Sequence, residues 1–345
     1  MITPPVICSY EDRRENLIGW KLLLMSLRRH SSGIKVFLFS KVFPEEFRAW
    51  VKRREVSVEL VELEESELRG WNVKPLVVEQ MFAAGHKRVL WMDSDVMVTG
   101  DILPRLEAIP EAAVAVTLEN GTFDERRVTC HGMEVGRRFK GNPNTCLIHV
   151  HRDFHGDLIA RWKELLRGPA FLERQAMSNE ERPIYCWSEQ DVLAGLLCGK
   201  SPGGFSDLEI NLIRLHREII HVGGPYRIKA RLGSPFRSKP FFLHAQGLKP
   251  WCISSEGKGT LKELQTKLSL YCHEAQKYAV DLEEDTSWML PFFRPERFLN
   301  ALFLGNPHLR GIPLMVTADL KDWMRRRRPA DPDESIREGP SLREP

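Results

Sequence analysis

The chain has 345 residues, 42% of them apolar and 28% charged, an ordinary globular balance with enough apolar surface for a sizeable core. That excludes a mostly disordered chain, a collagen-like chain and a disulfide-stapled miniprotein. Fifty Lys and Arg against forty-seven Asp and Glu leave a formal charge of +3, too weak an excess for a dedicated nucleic-acid binder.

The first hundred residues alternate strand and helix signals. Residues 6–9 form a short apolar run, and 16–29 carry Leu17, Trp20, Leu24 and Leu27 at helical spacing. A second apolar run at 34–39 is followed by Pro44-Glu45-Glu46, which opens a helix with proline at its first position. Residues 56–63 alternate with a period of two and predict a half-buried strand; 75–84 predict a helix and 88–92 a buried strand. Strands separated by such helices mean βαβ units and a largely parallel sheet, an α/β fold of Rossmann-like type. Right-handed crossovers gather the strands' C-terminal ends into one crevice, where open α/β sheets bind ligands.

Farther along, 112–118 and 147–150 predict strands, 153–166 a helix, 188–198 a helix with Ser188 as N-cap, and 241–244 a last short strand. The Gly/Pro-rich segment 223–239 carries five basic residues and no acidic one, which suits either steering of an anionic acceptor or a lid over phosphate. A helix is expected over 261–283. Residues 314–328 end in Trp323-Met324 and four arginines, which reads either as a weak peripheral contact with an anionic membrane or as a solvated helix end. The Pro-rich tail 329–345 cannot offset its ordering entropy and is expected to be disordered. The expected division is a catalytic domain over 1–255, a helical extension over 256–328 and the tail. No apolar run approaches the roughly 18–20 residues that cross a bilayer. Seven scattered cysteines without a Cys-x-x-Cys pair point to a reducing compartment, and no signal peptide is legible, so a cytoplasmic protein is expected.

The chemistry concentrates at Arg88-Val89-Leu90-Trp91-Met92-Asp93-Ser94-Asp95, a buried strand running into two carboxylates around one small residue. In an extended segment side chains i and i+2 share a side, so Asp93 and Asp95 can converge on one cation. Two ionised carboxylates share a small space only with something positive between them. A hard divalent ion is the natural occupant and would itself hold a diphosphate; the plainer alternative is that both merely cap a turn.

This segment resembles the Asp-x-Asp site of glycosyltransferases with the GT-A fold. Asn144-Thr145-Cys146-Leu147-Ile148, Glu189-Gln190-Asp191-Val192-Leu193 and His244-Ala245-Gln246-Gly247-Leu248-Lys249-Pro250-Trp251 follow in the order seen in the retaining family 8, which includes glycogenin and bacterial lipopolysaccharide galactosyltransferases. The resemblance spans about residues 6–252. Cys146 stands where the family usually has Gly, and the Gly247-to-Lys249 spacing is one residue shorter than is common.

The resemblance implies a GT-A α/β fold with a helical C-terminal extension. It implies a hexosyltransferase that uses a UDP-sugar donor and a saccharide or glycolipid acceptor, with retention of configuration. Asp93, Asp95 and His244 would ligate the metal, and oxygen ligands with one imidazole favour Mn²⁺ over Mg²⁺. Gly247 would let backbone approach phosphate, and Lys249 would neutralise the leaving diphosphate. Gln190 and Asp191 would face the donor sugar, or simply complement the start of their helix. Asn144 would bond the donor sugar or ribose, Ser94 would line the donor site, and Ser9, Tyr10 and Asp12 lie where the fold binds the base. Tyr10 would stack on uracil or sit exposed in a loop; Lys74 would face the diphosphate or be solvated. Two rivals stay open: a nucleotidyltransferase, although no Gly-rich loop follows the first strand to cradle a triphosphate, and a non-catalytic nucleotide-binding module of the same fold.

Overall fold

In a computed structural model of the protein, the described residues are 4–63, 67–119, 123–178, 180–215, 217–221, 240–247, 249–253, 266, 269–289 and 320. The expectations for 223–239, 314–328 (Leu320 excepted) and 329–345 fall outside them. Ten strands are described, beginning with β1 (Val6–Tyr10), β2 (Val36–Ser40), β3 (Glu59–Glu62) and β4 (Arg88–Met92). They continue with β5 (Val96–Val98), β6 (Ala113–Glu119), β7 (Asn142–His151), β8 (Glu209–Ile213), β9 (Ile219–His221) and β10 (Phe242–His244). Seven pair in the order β3-β2-β1-β4-β7-β6-β8, and β5-β10-β9 make a smaller sheet. In the large sheet only β7 runs against the rest. This is the mainly parallel α/β sheet that the sequence predicts.

β1, β2 and β4 are buried along their whole length, as parallel strands covered on both faces must be. One face packs on α1 (Leu17–His30) and α2 (Glu45–Arg53), around Trp20, Phe47 and Trp50. The other packs on α3 (Lys74–Ala83), α6 (Arg152–Arg167) and α8 (Glu189–Cys198), around Trp91 and Trp162. β1 is flanked by β2 on one side and β4 on the other, so chain order reverses there. A crevice opens outside such a switch point, at the strands' carboxyl ends.

Several boundaries differ from the sequence reading. Pro44 is the N-cap of α2, with Glu45 as its first residue. β7 begins at Asn142, five residues before the predicted strand, and Pro143 is accommodated because β4 pairs with β7 no farther than Leu147, which leaves β7 an edge on that side. β5, β8 and β9 escape prediction, two being three residues long and β8 lacking clean alternation. The short helices α4 (Leu103–Glu107), α5 (Arg126–Thr129) and α7 (Pro169–Ala176) were also not legible.

The predicted helix over 261–283 is not continuous. Ser269 is extended and caps α9 (Leu270–Ala275) by accepting from Cys272 N; a 3-10 turn follows, then α10 (Ala279–Leu282), stopped by Glu283 in the left-handed region. These residues pack onto the first helices. Lys21 Nζ donates to Leu282 O at 3.1 Å, Trp50 Nε1 to Asp281 O at 2.9 Å, and Tyr271 and Trp288 join the core beside α1. Among the described residues no helix is long and apolar enough to cross a membrane.

Candidate active site

The crevice has a volume of about 600 Å³, in the size range of small-molecule sites. Its floor is the carboxyl end of β4. Asp93 N donates to Cys146 O of β7 at 2.9 Å, Val96 N closes back on Asp93 O at 3.1 Å, and Ala245 N donates to Asp95 O at 3.1 Å. Residues 93–96 are thus a turn pinned from both sides, not the extended segment expected. The carboxylates still converge: ligand atoms of Asp93, Asp95 and His244 lie within 4.8 Å of one another.

Asp95 is buried, and burial alone would raise its carboxyl. The Lys249 ammonium and His244 imidazole reverse that and hold it well below the usual carboxylate range. Lys249 Nζ pairs with Asp95 Oδ2 and donates to Ala245 O at 3.0 Å, while His244 Nε2 stands 3.5 Å from Asp95 Oδ1. Asp93 Oδ1 accepts from Trp91 Nε1 at 2.7 Å and pairs with Lys74 Nζ at 2.8 Å.

Lys74, at the start of α3, is not solvated. It is buried and also pairs with Glu189 Oε1 at 2.9 Å and donates to Thr145 Oγ1 at 2.9 Å. Burial would lower its pKa, but Asp93 and Glu189 carry it above the ordinary lysine value, so it stays charged.

A third group surrounds Glu119 at the end of β6. Its carboxylate accepts from three amides: Asn144 Nδ2 at 3.2 Å, Gln190 Nε2 at 3.1 Å and Gln246 Nε2 at 2.8 Å. A carboxylate only accepts, so it turns all three NH₂ groups toward itself. Asn144 Oδ1 then accepts from Cys146 N at 3.0 Å and Gln190 Oε1 from Thr145 N at 3.4 Å. Gly247 lines the crevice at φ +80°, where no Cβ would clash; glycine is needed there for backbone conformation, not for space.

Most expected site residues come together. Tyr10, Asp12, Lys74, Asp93, Ser94, Asp95, Asn144, Gln190, His244, Gly247 and Lys249 all line the crevice. Tyr10 ends β1, is buried rather than in an exposed loop, and its hydroxyl donates to Asp12 Oδ2 at 3.1 Å. Two expected residues are placed elsewhere. Ser9 points to the opposite face of β1, where its Oγ accepts from Trp20 Nε1 at 2.9 Å. Asp191 spends both oxygens on structure: Oδ2 accepts from Trp187 N and Ser188 N in the capping box of α8, and Oδ1 accepts from Arg127 Nε at 2.7 Å.

Sequence reasoning missed Glu11 and Glu119. Glu11 is buried, accepts from Ser94 Oγ at 2.7 Å and from Arg13 Nε at 2.7 Å, and so ties the end of β1 to the Asp93–Asp95 turn. Neither lies in a motif; a carboxylate at the carboxyl end of a mostly apolar strand is the one signal either offers.

The charge balance bears on a metal. Glu11, Asp12, Glu15, Asp93, Asp95 and Glu189 line the crevice against Arg13, Lys74 and Lys249. A concave site with excess carboxylate and two aspartates beside an imidazole is a donor set that fits a divalent cation.

No known protein family and no curated protein matches the sequence. Among solved structures, the chain is similar to the glycosyltransferase GlyE of Streptococcus pneumoniae TIGR4, at 18% identity and a TM-score of 0.46, over 89% of this chain and 64% of that one. It is similar to the bifunctional glycosyltransferase WbbM (15%, TM-score 0.48, 73% and 47%) and to mouse xyloside xylosyltransferase 1 (12%, TM-score 0.45, 72% and 99%). The chain thus spans just under two thirds of the GlyE chain. TM-scores below 0.5 leave these as likenesses only; what the site can do is set by its own side chains.

Proposed function

We propose that the chain is a GT-A glycosyltransferase of the family 8 type that moves a hexose from a UDP-sugar to a saccharide or glycolipid acceptor, with retention of configuration. The observation that supports this furthest is the meeting of Asp93, Asp95 and His244 with Lys74 and Lys249 in one crevice, beside a wall of amides fixed by Glu119. Asp93, Asp95 and His244 would hold a divalent ion, Mn²⁺ ahead of Mg²⁺ for this mixed set, and the ion when bound supplies charge neutralisation on the donor's diphosphate.

The chain's own residues supply the rest. Lys249, paired with Asp95 when no donor is present, turns its ammonium to the departing diphosphate, where preorganised charge is worth most. Lys74, paired with Asp93, keeps that carboxylate oriented. Tyr10 presents its ring to the base. The Gln190 carbonyl oxygen, its NH₂ held by Glu119, faces the sugar carbon on which positive charge develops, and Asn144 and Gln246 bond donor hydroxyls. The acceptor hydroxyl attacks from the leaving-group side and gives its proton to the departing diphosphate oxygen.

A panel of UDP- and GDP-sugars with Mn²⁺ and no acceptor, scored by nucleotide release, tests this. One UDP-sugar should be hydrolysed slowly, and excess EDTA should abolish the release. Full turnover in EDTA would remove the metal from the reading. Mn²⁺-dependent UDP binding without sugar release would make the chain a binding module.

A further inference from the structure

A second set of metal-competent atoms surrounds the same imidazole. Cys146 of β7, His221 of β9 and His244 of β10 are all buried and bring ligand atoms within 4.8 Å of one another. β9 and β10 run parallel with His221 opposite His244, which sets the two rings side by side, and their Nδ1 atoms are 2.8 Å apart, one donating to the other. Cys146 reaches them from the large sheet, and its backbone carbonyl accepts from Asp93 N at 2.9 Å. Glycosyl transfer as proposed uses neither the Cys146 thiol nor His221.

We propose that Cys146, His221 and His244 form a binding site for a thiophilic divalent cation of the Zn²⁺ class, sharing His244 with the carboxylate site. Zinc bonds of about 2.3 Å to sulfur and 2.0–2.1 Å to nitrogen put tetrahedral ligand atoms roughly 3.3–3.6 Å apart. The three ligands reach that spacing by shifts of about an ångström; the cation takes the place of the proton shared between the rings, which moves to Nε2 of the ring that carried it. On binding, the thiol releases its proton to solvent and stays as thiolate; burial holds the unliganded group as a thiol, and a coordinated cation reverses that. Donor softness separates the two sites: thiolate with imidazole selects Zn²⁺, Co²⁺ or Cd²⁺, and the aspartates select Mn²⁺ or Mg²⁺.

His244 turns Nε2 toward Asp95 and Nδ1 toward His221, so one ring serves both sites. A thiophilic cation therefore occupies a shared ligand and sets a like charge beside the hard-cation site. The expected consequence is antagonism: Zn²⁺ weakens Mn²⁺ binding.

The test is a Co²⁺ titration of the full-length chain, stripped of metal and kept reduced. A single Co²⁺ per chain should give thiolate-to-cobalt charge-transfer absorption in the near ultraviolet. Cys146→Ser should lose that absorption, whereas the other six cysteines remain. His221→Ala, with its circular dichroism intact, should weaken Co²⁺ binding by about 10²-fold, at least the loss seen for outer partners of a metal. Absence of the absorption in the native chain, or its survival in Cys146→Ser, overturns the site; should Cys146→Ser not fold, an unchanged affinity in His221→Ala overturns it instead. In a second arm, Zn²⁺ should raise the Mn²⁺ needed for half-maximal donor hydrolysis about tenfold or more, as a nearby like charge requires. Cys146→Ser, measured against its own zinc-free rate, should not show that rise, and equal sensitivity would overturn the antagonism. This arm rests on the glycosyltransferase reading and the cobalt arm does not, so the two failures are distinguishable.

Discussion

At the scale of single residues, the crevice is organised by which charges are paired and which amides are turned. Lys249→Ala removes the ammonium from a buried carboxylate and from the position proposed for the leaving diphosphate. Donor hydrolysis should fall by ~10²-fold or more, the scale of losing one preorganised charge, and an unchanged rate would return Lys249 to a purely local role with Asp95. Glu119 offers a sharper contrast. Glu119→Gln keeps the shape but brings an NH₂ group to three amides that already point theirs inward, so at least one must flip. Hydrolysis should drop about tenfold, in line with outer partners that orient a site, while the melting temperature changes little; an unchanged rate would mean the amide orientations do not matter. The residues legible in the sequence were those next to short motifs, such as Asp93, Asp95, Asn144, Gln190 and His244. Glu11 and Glu119 were not, because a lone carboxylate at a strand end has no pattern until the sheet brings its partners together. Asp191 is the opposite case: it lies inside a motif, yet the start of α8 takes one of its oxygens and Arg127 of α5 the other.

At the scale of elements, the strands and helices up to residue 92 were readable because each is a long run with one clear period. Beyond it β6, α6, α8 and β10 were readable as well, whereas β5 and β9 were not, because each has three residues and takes its conformation from pairing with β10. Of that small sheet, the predicted strand β10 delivers His244 to the crevice, and the two unpredicted strands hold it in place. Helix α1 is locked to the same place. A Cβ on Gly19 would stand 2.7 Å from Ser94 O and 3.1 Å from the Trp251 ring, so α1 lies against the turn between the two aspartates. Helix propensity alone favours Gly19→Ala by about 1 kcal/mol. The backbone oxygen cannot give way as a side chain could, so we expect the opposite sign. Gly19→Ala should lower the melting temperature and raise the Mn²⁺ requirement through a displaced Asp93–Asp95 turn. A more stable variant with unchanged Mn²⁺ dependence would show that α1 does not set the turn.

At the scale of the whole molecule, acid stability should be governed by buried histidines before carboxylates matter. His149 is fully buried between β4 and β6, and burial, helped by Arg88, lowers its pKa to about 3. His131 is lowered to about 4, again by burial first and then by Arg174 and Arg161. In the unfolded chain both titrate near 6.5. Between about pH 4 and 6.5 the unfolded chain therefore binds protons that the folded one refuses, so stability rises with pH across that window and its histidine share is complete above it. The slope has a ceiling of about 1.4 kcal/mol per pH unit for each such group. Carboxylates lowered by their partners, Asp95 and Glu218 among them, add a loss of the same sign, but only as pH falls below the ordinary carboxylate range. The two contributions can thus be told apart. His149→Leu removes one titrating ring whose nitrogens have no hydrogen-bond partner. Its stability, measured by urea unfolding every half unit from pH 4.5 to 7, should be less steep by up to that ceiling and should meet or exceed the native chain at the acid end. Parallel curves for the two proteins would mean that His149 is not a group whose protonation drives acid unfolding.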